Sequence, residues 1–403
     1  MADRPGRGVR QTARVCPLTP TDDRELLRAR GSLKWTGTRG DIAAWVAESD
    51  LGTAPEVTHA LHDAIDRGLT GYLPPHERAG AAQACADWQR RRFGWEVPAD
   101  RVRLVPDVIA ALRLTLERLT PPGSALVLPT PAYMPFVTMP AAWGREVIQV
   151  PMATDADGRA TLDLDGIDAA LAAGAGLVVL VNPHNPTGRV HAREELEALA
   201  AVVEARGATV FADEIHAPLV HAGHRHLPYA SLSPVAAQHC VTATAASKGW
   251  NVPGLKCAQV VLTGDAHVAA WQDASEGVSV LGAVAAMAAY DHGEPWLDET
   301  VVYLGDNARR LAEVLATEAP AVGYRPPEGT YLAWLDLRDA LPPAARDLEP
   351  GEVAHWLGRA SGVTVVDGAR CGEVGHGFVR LNLAMHRGLV EEAGRRIAAA
   401  LRG

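Results

Sequence analysis

Thr242-Ala-Thr-Ala-Ala-Ser-Lys-Gly-Trp-Asn-Val-Pro-Gly-Leu-Lys256 runs from a strand-like alternation into a turn rich in glycine, asparagine and proline, with Lys248 at the junction. A charged side chain at the end of a buried strand is unusual. Most lysines are exposed, so a surface loop lysine is the default reading. The alternative is a buried amine, whose pKa shifts readily and which serves in Schiff-base and proton-transfer chemistry. The flanking sequence decides between them.

Strand signals cover 102–105, 125–128, 147–150, 176–181, 208–212, 240–244 and 258–262, and helical periodicity covers 107–119, 165–173 and 193–206. Val108, Leu112, Leu116 and Leu119 mark one helical face. Apolar strands separated by such helices predict an α/β fold with a mostly parallel sheet covered on both faces. After Gly293 the pattern changes. A long helix (296–317), an alternating strand (331–337), a helix (353–360), strands at 363–366 and 378–383 and a closing helix from Leu389 predict a smaller α+β unit. Helices are also expected at 22–30, 55–66 and 77–92, and the polar, arginine-rich first dozen residues read as a mobile arm. Pro55 suits a first helical turn, where its missing N–H had no partner to lose. The expected division is an arm and segment packing on the small domain (1–50), a large domain (51–290) and a small C-terminal domain (291–403).

Composition narrows the function. A chain of 403 residues, 48% hydrophobic and 21% charged, is long enough for two domains with their own cores. A net charge of −10 argues against nucleic acid or an anionic membrane as the main partner. No apolar run approaches the ~18 residues of a membrane span, and the opening residues lack the apolar core of a signal peptide. Five scattered cysteines (Cys16, Cys85, Cys240, Cys257 and Cys371), never spaced C-x-x-C, suit a reducing compartment without a disulfide framework or zinc site. The expectation is a cytoplasmic protein.

Ligands of open parallel sheets gather at the carboxyl ends of the strands. One apolar strand ends in Asn182-Pro-His-Asn-Pro-Thr-Gly188, whose Asn-Pro steps make a rigid loop that can aim an amide. The next ends in Asp213-Glu-Ile-His216, where a buried carboxylate needs a cation or donor. The next delivers Ser247 and Lys248, and the strand at 125–128 leads to Tyr133. Each has a plain alternative, as turn punctuation, turn former or surface residue; their convergence on one sheet edge does not. Pro106-Asp-Val-Ile-Ala begins a helix whose free N–H groups suit a phosphate, while Asp107 itself suits an N-cap. Arg380, inside an apolar strand, calls for an anion: a bound carboxylate or an internal salt bridge. His221, His224 and His226 invite a metal reading, but they lie in a loop expected beyond the sheet edge, with no carboxylate at ligand spacing.

In this order, N-P-x-N-P-T-G, D-E-I-H, S-K followed by N-x-P-G-L-K, and R-L-N resemble the fold-type I pyridoxal-phosphate enzymes, the aspartate aminotransferase superfamily, from Lys34-Trp35 to the final helix. D-E-I-H, and Trp45-Val-Ala-Glu-Ser-Asp-Leu51 beside the W-V-A-E-M-D-F of relatives, narrow the resemblance to the cystathionine/cystine β-lyase (C–S lyase) subgroup of the class I/II aminotransferases. The resemblance implies that Lys248 carries pyridoxal 5'-phosphate covalently and moves the substrate Cα proton. Asp213 would pair with the pyridinium nitrogen, Asn185 would bond the phenolic oxygen, and Tyr133 would stack on the ring. Lys256 and the backbone at Val108 and Ile109 would hold the phosphate, with Ser247 helping. Tyr72 would reach the phosphate of a partner subunit, making the site a property of a homodimer. Arg380 would bind the substrate α-carboxylate. His216 stands in the cofactor pocket where aminotransferases place a tyrosine, and Lys256 where many relatives have arginine. Ser49, Leu51 and Cys371 also depart from the usual residues around the pocket.

The leading expectation is β-elimination from a cysteine S-conjugate or cystathionine-like amino acid, giving thiol, pyruvate and ammonia. The same residues would serve an aminotransferase, or a specialised decarboxylation-linked oxidative deamination of an S-conjugate. A silent cofactor-binding regulator would lack turnover, and no DNA-binding extension accompanies it.

Overall fold

The structure, a computed structural model, describes residues 18–38, 40–271 and 277–403. The expected arm over the first dozen residues, and Cys16, lie outside the described residues.

A seven-stranded sheet forms the centre. Its order is Val102–Val105, Ala258–Leu262, Cys240–Thr244, Thr209–Asp213, Leu177–Val181, Leu126–Thr130 and Val147–Pro151. Only Ala258–Leu262 runs against its neighbours. The five inner strands from Ala258–Leu262 to Leu126–Thr130 are buried at every position, as strands covered by helices on both faces must be. Each buried valine or leucine contributes about 1.5–3 kcal/mol of apolar burial. Helices start where the sequence supplies caps. Asp107 accepts from the Ala110 N–H at 2.8 Å at the head of Val108–Leu119, and Asp163 caps Leu164–Ala172 in the same way at 3.0 Å.

Sequence periodicity misses one large element. Val280–His292 is a helix buried on nearly every side, packed on Pro55–Asp66 and Pro75–Phe93. Because it is apolar all round, no face stands out. Gly282 lets it approach so closely that a Cβ would overlap the Leu255 carbonyl oxygen.

The C-terminal part holds a four-stranded sheet in the order Gly323–Tyr324, Leu332–Asp336, Phe378–Asn382, Val366–Asp367. The helices Glu294–Glu318, Val353–Ser361 and Arg387–Arg402 pack beside it. The single strand expected at 363–366 is two short pieces. Val363–Thr364 pairs instead with Ile42–Ala43, and Arg24 meets Glu392, so the chain's early segment lies against its end. No described helix is long and apolar enough to cross a membrane.

Candidate active site

The strand Thr209–Asp213 carries Asp213 to the carboxyl edge of the sheet, 4% exposed. Its carboxylate accepts the Ile215 N–H at 3.1 Å. Burial pushes its pKa up to about 7, against the pull of that N–H and of the Lys248 cation. At the next strand end along the chain, Lys248 occupies a single helical turn, Ala246–Gly249, directly after Cys240–Thr244. Burial lowers its amine to about 8; Arg380 lowers it further, while Asp213 and Glu48 oppose the shift. Its Nζ donates to the Ala47 carbonyl at 3.1 Å. The idle surface lysine is therefore replaced by a partly buried amine beside a carboxyl.

Arg380 arrives from the small sheet, 2% exposed. Its Nη1 donates to Asn185 Oδ1 at 3.0 Å and its Nη2 to the Trp45 carbonyl at 3.2 Å. Its Nε has no partner, and no carboxylate among the described residues pairs with it. The internal salt bridge is thus not what this arginine makes. A buried guanidinium held only by two neutral oxygens and, at 3.7 Å, the Met134 sulfur is a site for an anion. Asn185, its oxygen bonded to Arg380, keeps its amide N–H donors for a ligand.

His216 is 2% exposed, with Nδ1 unpartnered and its ring 6.0 Å from that of Tyr331. Burial, then Lys248 and Arg380, hold its pKa well below the usual value, so the imidazole is neutral. Tyr133 opens the short helix Met134–Thr138 and sets its ring edge-on to Phe136 at 5.4 Å. Burial raises its phenol, partly countered by Arg380. Val108 and Ile109 precede the first intrahelical bond of their helix, Ala111 N–H to the Asp107 carbonyl at 3.0 Å. Lys256, half-exposed in a left-handed backbone conformation, lies against that same helix start, 2.9 Å from the Asp107 carboxylate. Ser247 is partly buried in the Lys248 turn. Tyr72 joins none of these within the chain. It is fully exposed, in a surface cavity of about 660 Å³ shared with residues 277–281.

Sequence reading missed how the segment from Trp45 to Leu51 is used. Its carbonyls collect donors from both parts of the molecule. Trp45 takes Arg380, Val46 and Glu48 take Asn382 Nδ2 at 2.6 and 2.7 Å, and Ala47 takes Lys248 and, at 3.0 Å, the Tyr331 hydroxyl. Asn251 clasps Ser49 through both N–H and C=O at 2.9 Å. Asp50 receives Lys34 Nζ and Trp35 Nε1, each at 2.9 Å. The available signals were Asn382 inside an apolar strand and Tyr331 at the head of another.

One expectation needs correcting. The loop with His221, His224 and His226, read as having no carboxylate at ligand spacing, meets carboxylates from elsewhere in the chain, Glu214 and Glu328. It folds inward, burying His221 on the Thr330 carbonyl at 2.8 Å and His226 on Glu214 at 3.1 Å. Glu214 reaches it because the strand at 209–213 delivers the next residue beneath the loop. His224 lies 3.9 Å from Glu328. The described residues contain no group of three or more potential metal ligands.

The chain is similar to known proteins over nearly its whole length. Cystathionine beta-lyase of Corynebacterium glutamicum is 40% identical over 387 residues, covering 94% of this chain and 98% of the relative. Cystathionine beta-lyase PatB of Bacillus subtilis is 32% identical, covering 94% and 99%. Among solved structures, the PLP-bound C-S lyase from Staphylococcus hominis matches with a TM-score of 0.85 at 27% identity, covering 93% of this chain and 96% of that one. The family model for aminotransferase class I and II matches residues 46–397, so the chain belongs to that family.

Proposed function

We propose that this chain is a pyridoxal-phosphate-dependent C–S β-lyase, converting a cysteine S-conjugate or cystathionine-like amino acid and water into thiol, pyruvate and ammonia. One observation carries the reading most. A buried, anion-free arginine stands beside an amine lowered to about 8 and a carboxyl raised to about 7. The full-length likeness to cystathionine beta-lyases supports the choice of reaction.

The residues fit the cofactor. Asp213 is a buried acid lacking a cation partner at contact distance, suited to a pyridinium nitrogen; His216 Nδ1 and the Asn185 amide are further polar groups in reach of a ring. The N–H groups of Val108 and Ile109, with Lys256 beside them and Ser247 nearby, suit a phosphate. Lys248 would hold the group covalently and Tyr133 would cover its ring. When bound, the cofactor supplies an electron sink that acidifies the substrate Cα–H. The chain does the rest. Arg380 fixes the α-carboxylate in a bidentate grip and so orients the Cα–H toward Lys248. A free Lys248 amine accepts that proton, and its ammonium then gives it to the departing sulfur. The low pKa of Lys248 suits both halves of this transfer near neutral pH. His216, neutral, adds no charge that would compete with Lys248.

We further propose a cytoplasmic homodimer, with Tyr72 reaching the partner subunit's phosphate site. Its complete exposure in one chain and the buried free thiols of Cys85, Cys240, Cys257 and Cys371 support this. The large domain would then span 51–290 and the small one 291–403, with 1–50 packed on the latter. The test of function is product analysis: holoenzyme given L-cystathionine should release thiol, pyruvate and ammonia in equal amounts. Thiol-free production of a keto acid that retains the substrate's sulfur would overturn the proposal.

A further inference from the structure

We propose that Tyr331 is a positioning residue for Lys248: its hydroxyl shares the Ala47 carbonyl oxygen with the Lys248 amine and so fixes the place where that amine rests. The proposal deepens the lyase reading above, because Lys248 is the group that moves the substrate Cα proton. Three parts of the molecule meet on this one oxygen. Lys248 Nζ, from the turn after the large-sheet strand Cys240–Thr244, donates to it at 3.1 Å. The Tyr331 hydroxyl, from the head of the small-sheet strand Leu332–Asp336, donates to it at 3.0 Å. Ala47 itself lies between carbonyls that hold Arg380 and Asn382. A carbonyl oxygen has two lone pairs, so these two donors fill it. Tyr331 has little freedom to move. It is 2% exposed, its ring stands edge-on to His216 at 6.0 Å, and its own carbonyl accepts the Leu383 N–H at 2.7 Å. The hydroxyl therefore occupies one side of the Ala47 oxygen and leaves the amine the other.

Tyr331 keeps its own proton. Burial raises its phenol above the usual range, with Arg380 opposing, so it serves as a hydrogen-bond donor and not as an acid. What reaches Lys248 is the O–H dipole. Its positive end points at the same oxygen that steadies the Lys248 ammonium, so the hydroxyl weakens that oxygen's hold on the charged form. The other charges facing Lys248 come from every neighbouring element. Arg380 and Lys256 lower the buried amine, Asp213 and Glu48 raise it, and His216 is neutral. Tyr331→Phe changes none of these and keeps the ring against His216. It removes only the competing donor, so the Lys248 amine should become harder to deprotonate and lose its fixed resting place.

The test compares wild type, Tyr331→Phe and Tyr324→Phe. Tyr324 stands outside the site, and its hydroxyl likewise donates to a backbone carbonyl, that of Ala308 at 3.3 Å. Pyridoxal phosphate uptake by the cofactor-free chains is followed against pH. Its midpoint, near 8 in wild type, should move up by about half a unit or more in Tyr331→Phe and stay in place in Tyr324→Phe. On L-cystathionine, Tyr331→Phe holoenzyme should lose about fivefold or more in kcat with KM within about twofold, because Arg380 still grips the α-carboxylate. An unmoved midpoint in Tyr331→Phe, or an equal shift in Tyr324→Phe, overturns the proposal, as does a loss confined to KM. A wild-type enzyme that releases neither thiol nor pyruvate from L-cystathionine overturns the lyase reading; the midpoint needs no substrate and still decides the role of Tyr331 at Lys248.

Discussion

At the scale of single residues, burial is what turns ordinary side chains into reactive ones. Lys248 titrates near 8 in the chain without cofactor because desolvation and Arg380 outweigh Asp213. Only the free amine attacks an aldehyde. The rate at which cofactor-free protein takes up pyridoxal phosphate should therefore rise with pH, reach half its limit near pH 8 and level off above it. A stopped-flow rate still climbing tenfold per pH unit toward 10 would mark an ordinary exposed lysine. Borohydride reduction of the holoenzyme followed by peptide mapping should place the pyridoxyl group on Lys248, not on Lys256. Arg380 sets binding against stability. Arg380→Met removes a buried guanidinium without a counter-ion, so the cofactor-free chain should gain about 1 kcal/mol or more in urea denaturation. The same change should lower kcat/KM by at least about tenfold, through loss of the α-carboxylate contact. These residues were legible in the sequence because each is out of character where it stands: a lysine, an acid or an arginine at the end of, or inside, an apolar strand.

At the scale of elements, the segment from Trp45 to Leu51 is the part least visible beforehand and most connected afterwards. It acts through its backbone, and backbone carbonyls leave no mark in a sequence. Its anchor is the buried pair Lys34–Asp50, 2.9 Å apart with side chains 0% and 4% exposed. Burial lowers the Lys34 amine, Asp50 opposing the shift. Asp50→Ala leaves Lys34 as an uncompensated buried cation and should cost about 3–5 kcal/mol in urea denaturation; adding Lys34→Met should recover most of it. If Asp50→Ala costs nothing measurable, the pair is not the anchor. The strands and amphipathic helices were readable from period and caps. The helix Val280–His292 was not, because a segment buried on every side carries no period to detect. The break between 364 and 366 was equally hidden: the pairing of Val363–Thr364 with Ile42–Ala43 is set by a contact distant in sequence.

At the scale of the whole molecule, a strand-end chemistry from the large sheet faces an arginine from the small one, and neither part holds the complete site. Two chains per particle are expected by sedimentation of the holoenzyme, with Tyr72→Phe weakening cofactor retention on dialysis. A monomeric holoenzyme with full activity would contradict the shared site. The central claim is that elimination, not amino transfer, follows Cα deprotonation, and the two differ in what they need to continue. With L-cystathionine and no keto acid present, pyruvate release per subunit should run linearly through many turnovers. A reaction that stops near one equivalent per subunit and restarts only when a keto acid is added would contradict it.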